Sequence, residues 1–151
     1  MHLLLFSILS PLFIHFKMSG TSTCEIDDEL VQKIKNFRLA KYETGNTAFI
    51  LKIDRQSLKI VEDEVYEENI SLEDLVEELP ENTPRFIILS YELKHDDGRK
   101  NFPLLFIYWS PSTCKAEVNM LYASAKTYLQ NKIDVNRVSI KSSLLNNNNH
   151  L

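Results

Sequence analysis

Trp109-Ser-Pro-Ser-Thr-Cys-Lys-Ala-Glu-Val-Asn-Met-Leu-Tyr-Ala-Ser-Ala-Lys126 is the stretch whose reading decides the fold. It closes an apolar run, turns at Ser110-Pro111 and then changes to helical periodicity. Val118, Leu121, Ala125 and Leu129 recur at the spacing of one helix face and form the expected inward stripe. Met120, Ser124 and Thr127 fall on a different side. A flexible, polarizable Met on an outward face is a good contact for another protein, and an ordinary Met at the edge of a core is the plain alternative.

Upstream lie the two most apolar segments, Phe86 to Leu93 and Phe102 to Trp109, whose near-continuous hydrophobicity predicts strands covered on both faces. Asp97-Gly98 between them is a hairpin signal, because glycine accepts the positive φ such turns need. Ser71 followed by Asp74 is a capping-box pattern for a short helix with Leu72, Leu75, Val76 and Leu79 inward, stopped by Pro80. Thr47 to Ile53 and Leu58 to Val65 read as strands joined by a short turn. Asp27 or Asp28 can cap a first helix in which Leu30, Ile34 and Phe37 share a face. Its acidic start and its basic end at Lys33, Lys35 and Arg38 suit the helix dipole. After the long helix, Val138 and Ile140 alternate with polar residues in one more strand. Helix, two strands, helix, two strands, long helix, strand: this order predicts an α/β protein of the α+β type, one domain with a central mixed sheet sandwiched by helices.

Composition narrows the function. The 151 residues, 44% hydrophobic, suffice for one domain with a core, and a net charge of −4 argues against a nucleic-acid binder. Two cysteines, Cys24 and Cys114, are too few for a disulfide framework. With three glycines in all, the chain has no phosphate-binding glycine loop. His95, Asp96 and Asp97 are adjacent at a hairpin tip, cannot all converge on one ion, and read as a solvated turn. Cys114 stands near a helix start, where a thiol's pKa can fall, but no His partner is evident. The reading is a non-enzyme with no cofactor and no metal.

Several segments together resemble the actin-depolymerising factor/cofilin homology domain and, within it, the glia maturation factor branch. They are the Trp109-Ser-Pro junction with its Met-Leu-Tyr-Ala-Ser-Ala-Lys helix, Asp28-Glu-Leu-Val-Gln-Lys-Ile-Lys-Asn-Phe-Arg38, Glu78-Leu-Pro-Glu-Asn-Thr-Pro-Arg-Phe-Ile87, Tyr91-Glu-Leu-Lys-His-Asp-Asp-Gly-Arg99 and Phe102-Pro-Leu-Leu-Phe-Ile107. The resemblance covers about Ser19 to Lys141. It implies a cytoplasmic, monomeric regulator at the actin cytoskeleton and cell cortex. Such a protein binds the actin-related protein 2/3 complex, inhibits nucleation and dismantles filament branches. Cofilins carry lysines on the outward face of the long helix just before the Met, and here those positions are Glu117 and Asn119. The loss of two cations and gain of an anion implies weak or no direct actin binding, since charge complementarity selects partners. The implied partner surface is Lys115, Glu117, Asn119, Met120, the edge of Leu121, Ser124 and Lys126, beside the segment around Cys24. Arg99 and Lys100 at the hairpin make a second surface, and Lys33, Lys35, Arg38 and Lys41 could add steering or simply be a solvated helix face. The rival functions are a cofilin-like actin-severing module and a secreted factor.

Both ends depart from the family pattern. Leu3 to Ile14 is apolar, is too short to span a membrane, and is preceded by no Lys or Arg. Residues 1–17 thus read as an extension upstream of a start at Met18, as a signal or anchor, or as a structured extension. The domain is expected over 18–141. Ser142-Ser-Leu-Leu-Asn-Asn-Asn-Asn-His-Leu151 stands where the family has its closing helix, and an Asn run forms helix poorly, so that helix is expected to be missing.

Overall fold

The computed structural model describes residues 23–135 and the backbone of residues 140–141. The expectations for residues 1–17 and for the 142–151 tail lie outside the described residues, as does Val138.

Among the described residues, eight strands and three helices follow in order: β1 Glu25–Ile26, α1 Asp28–Leu39, β2 Thr47–Asp54, β3 Lys59–Tyr66, α2 Leu72–Glu78, β4 Arg85–Ser90, β5 Leu93–Lys94, β6 Lys100–Asn101, β7 Leu104–Trp109, α3 Ala116–Ile133 and β8 Ile140–Lys141. Six strands form one sheet in the order β1-β3-β2-β4-β7-β8, and β5-β6 form a separate two-stranded ribbon. The central pairs are antiparallel, while the outer pairs β1–β3 and β7–β8 are parallel, so the sheet is mixed as expected.

Strand alternation sorts the core into two layers. Phe49, Leu51 and Ile53 of β2, Phe86 and Ile88 of β4, and Phe106 of β7 meet α1 and α3 on one face. Ala48 and Ile50, Ile87 and Leu89, and Ile107 and Trp109 meet α2 on the other. Burial on both faces explains the continuous hydrophobicity of these segments.

Several local expectations change. The strand from Phe86 ends at Ser90, and its partner begins only at Leu104. Pro103 has no N–H for the ladder, although its carbonyl accepts from Tyr91 N at 3.0 Å. Asp27 occupies the N-cap position of α1, but its carboxylate pairs with Lys59 at 2.8 Å instead of capping. Ser71 does cap α2, its Oγ accepting from Asp74 N at 3.0 Å. A β-bulge leaves Asp63 as the extra residue of β3 between Ile50 and Leu51 of β2. Its carboxylate bridges Lys52 and Arg85, both at 2.7 Å, tying three strands together. Burial pushes the Asp63 carboxyl up, but these two hydrogen bonds and charges outweigh it and hold it below the usual carboxylate range.

Helix α3 carries the main correction. Its buried stripe is Val118, Tyr122, Ala125, Leu129 and Ile133, with Leu121 only partly covered at its border. Tyr122 is missing from the expected stripe. In the fold its hydroxyl is used: it accepts from Ile53 N at 2.9 Å in the core.

Candidate functional site

The outward side of α3 is built by subtraction. With Val118, Tyr122, Ala125 and Leu129 facing the sheet, 3.6-residue periodicity leaves Glu117, Met120, Ser124 and Thr127 on one exposed strip. Met120 is 72% exposed, matched only by Leu39 among the described large apolar side chains. Ser124 bonds its own helix, Oγ to Leu121 O at 2.8 Å, which leaves the strip smooth and weakly polar. Lys115 is exposed at the N-cap position, one residue before the helix.

Not every expected contact residue belongs to this strip. Asn119 and Lys126 lie on the flank facing β7. Asn119 Oδ1 accepts from Tyr108 OH at 2.5 Å and from Ser110 Oγ at 2.8 Å, and Asn119 O accepts from Tyr108 OH at 3.2 Å. Its side chain is a strut to the sheet and not a free contact. Lys126 Nζ sits 6.0 Å from the Tyr108 ring centroid, at the outer limit of a cation–π contact. Burial pushes the Tyr108 hydroxyl pKa up, with the Ser110 hydrogen bond acting the other way. Cys24 is 1% exposed, and burial raises its thiol pKa. The expectation that Cys24 itself touches a partner is therefore corrected: its neighbours Thr23 and Glu25 are what this segment exposes.

Of the basic set at α1, Arg38 alone is reassigned. Lys33 pairs with Glu62 at 3.5 Å, and Arg38 Nη1 donates to Asp134 O at 2.5 Å. Arg38 serves the fold, while Lys33, whose side chain is 54% exposed in a surface pair, joins Lys35, half-buried, and Lys41, exposed, as a steering candidate.

Arg99 and Lys100 stand on the β5–β6 ribbon, at the opposite end of β7 from the start of α3. Five rises of strand separate the ends of β7, ~17 Å, so the two expected surfaces are distinct. The ribbon's cations are internally balanced. Arg99 Nε meets Asp97 at 2.6 Å, and Glu92 meets Lys100 at 2.9 Å and Lys94 at 3.5 Å. Glu92 Oε2 also accepts from Gly45 N. Asn46 completes the joint, its Oδ1 accepting from Glu92 N at 2.8 Å and its Nδ2 donating to Ile70 O at 3.1 Å. Gly45 holds φ +77°, and a Cβ there would lie 2.3 Å from Asn69 Cβ, so glycine is required. At the ribbon tip, Gly98 N donates to His95 O at 2.9 Å and Arg99 N to Asp97 Oδ1 at 3.0 Å, the hydrogen bonding of a turn. Among the described residues no group of three or more His, Cys, Asp or Glu side chains could hold a metal, and no helix is long and apolar enough to cross a membrane.

An apolar-centred helix strip on a mixed sheet suits contact with another protein. Residues 23–146 match the family described as cofilin/tropomyosin-type actin-binding protein. Human glia maturation factor beta is 45% identical over 115 residues, covering 76% of this chain and 80% of that protein. The chain belongs to the glia maturation factor family. The glia maturation factor of Drosophila melanogaster is 38% identical over 121 residues, covering 80% of this chain and 86% of its own. The solution structure of glia maturation factor from Caenorhabditis elegans superposes with a TM-score of 0.66 at 37% identity, covering 78% of this chain and 83% of that one. The chain is thus an actin-regulating protein of the glia maturation factor type, built on the cofilin fold.

Proposed function

We propose that this protein binds the actin-related protein 2/3 complex, inhibits its nucleation of actin, and promotes release of filament branches. It does so as a cytoplasmic monomer at the cell cortex, with weak or no grip on actin itself, no nucleic-acid partner and no stable insertion into membranes. One observation carries the reading: the exposed Met120 is flanked on its strip by Glu117 and Ser124, where the cofilin pattern would set a lysine at 117. A helix strip of this kind suits an apolar groove on a partner, with charge at its rim selecting which groove. Debranching then needs no bond chemistry. A ligand with higher affinity for the detached or distorted branch shifts the equilibrium toward it by that difference in affinity.

The test is binding of the full chain and of Met120→Glu/Ser124→Arg to the purified complex, with filament co-sedimentation alongside. The wild type is expected to bind the complex and to stay in the supernatant with bare filaments. The double variant is expected to lose complex binding with an unchanged melting temperature, because both side chains are exposed. Wild-type affinity in the double variant would reject this surface, and wild-type pelleting with filaments would favour a cofilin-like severing module.

A further inference from the structure

Asn119 occupies a position where an exposed contact residue is expected, yet its side chain points into a three-residue clasp. Its Oδ1 accepts from two hydroxyls at once, Tyr108 OH on β7 and Ser110 Oγ just beyond it. The Tyr108 hydroxyl reaches the Asn119 carbonyl as well, at 3.2 Å. Asn119 N in turn donates to Lys115 O at 3.0 Å, the hydrogen bond that closes the first turn of α3. The clasp therefore shuts a loop: β7 ends at Trp109, the chain turns through Ser110–Lys115, and the amide returns the helix start to the strand. Lys126, two turns on, covers the Tyr108 ring from the same flank.

We propose that Asn119 is a positioning residue for partner recognition: with Tyr108 and Ser110 it locks the first turn of α3 to β7, and so fixes the pose of Met120, without touching the partner itself. The inference rests on the reading of the α3 strip as the docking surface. It changes what the residue at 119 does there. A lysine in its place has no acceptor for these two hydroxyls, so the clasp depends on the amide oxygen. Side chains on such a lock are coupled, whereas independent contacts contribute additively.

Four full-length variants decide it: Asn119→Ala, Asn119→Asp, Tyr108→Phe, and Tyr108→Phe/Asn119→Ala. Two measurements are made, the dissociation constant with the purified actin-related protein 2/3 complex, and amide exchange of the Glu117–Leu121 segment in the free protein. Asn119→Ala is expected to weaken binding roughly tenfold and Tyr108→Phe roughly fivefold, although Tyr108 is off the strip. The double variant is expected to be no worse than Asn119→Ala. Asn119→Asp keeps an acceptor for both hydroxyls and is expected to stay within about threefold of wild type. Exchange should accelerate in step with the loss of affinity. Multiplying losses in the double variant, or an Asp variant as weak as the Ala variant, would overturn the proposal in favour of a direct contact. Unchanged exchange in Asn119→Ala would overturn it without reference to any partner. If the wild type itself fails to bind the complex, the functional reading falls, and the exchange data still judge the lock. Should Asn119→Ala fail to fold, Ser110→Ala removes one donor only and is expected to show a smaller loss with the same coupling to Tyr108→Phe.

Discussion

Arg38, in the last turn of α1, donates from Nη1 to the carbonyl of Asp134, the residue that ends α3, at 2.5 Å. The same nitrogen lies 3.4 Å from Ile133 O. Asp134 takes the left-handed conformation at φ 50°, and its carboxylate approaches the guanidinium at 3.5 Å. A cation at a helix C-terminus answers both the exposed carbonyls and the negative end of the dipole. Arg38→Ala is expected to cost about 1–2 kcal/mol in chemical denaturation. Arg38→Lys should recover part of that, and the salt dependence of association with the partner should stay that of the wild type. A changed salt slope with unchanged stability would return Arg38 to a steering role.

Tyr122 repairs an edge inside the sheet. β4 pairs with β2 only from Thr47 to Leu51, so beyond that point β2 has no neighbour on the β4 side. The Ile53 N–H falls in this gap, and Tyr122 OH accepts it at 2.9 Å. Tyr122→Phe keeps the packing and orphans that donor, which is expected to cost about 1–3 kcal/mol. Urea unfolding should show a lower midpoint with the same m value. An unchanged midpoint would mean that the N–H finds another acceptor when the hydroxyl is gone.

The strands that bury both faces were legible as continuous apolar runs, the long helix from its 3.6-residue repeat, and the Ser71 cap from its spacing to Asp74. Two-residue pieces such as β1 and the β5–β6 ribbon have no period to read, and they exist only because a longer strand or a turn holds them in register. At the site, Met120 was legible from helical counting, since exposure follows from the phase of the core stripe. Asn119, Arg38 and Cys24 were not. The first two find their partners across the fold, 11 and 96 residues away in the chain for Tyr108 and Asp134. Cys24 is covered by the core beneath α1 and α3, though Glu25 and Asp27 around it are exposed. Tyr122 misled because one side chain is both a large apolar body and a hydroxyl, and only the location of the Ile53 gap shows which matters.

Glu92 gives the fold an acid-sensitive joint. The hydrogen bond from Lys100, then that from Gly45 N, lowers its pKa from 4.5 to about 2. Because the folded value is the lower one, the carboxylate stabilises the native state fully above about pH 4.5, and that contribution is lost as pH falls toward about 2. Glu92→Gln removes the charge at every pH. The difference in melting temperature between wild type and Glu92→Gln is therefore expected to be constant near neutrality and to shrink between about pH 4.5 and about 2. Other carboxylates, Asp63 among them, also titrate in acid, and subtracting the variant removes their share. A difference that does not change with pH would mean that the Glu92 charge contributes nothing to the joint.

Glu117 tests whether charge, and not shape, selects the partner. It is exposed on the Met120 strip, and Glu117→Lys changes the local charge by two units without touching the Asn119 lock. Filament co-sedimentation is expected to rise roughly three- to tenfold at low salt and to fade near 0.3 M, where the screening length falls to about 6 Å. Affinity for the actin-related protein 2/3 complex is expected to fall over the same range. Because a lysine in the first turn also opposes the helix dipole, at a cost of about 0.3–1 kcal/mol, Glu117→Gln is the control. Its behaviour should lie between the two. If Glu117→Lys leaves both affinities unchanged, the discrimination resides in the shape of the strip, and the pose of Met120 set by the Asn119 clasp becomes its source.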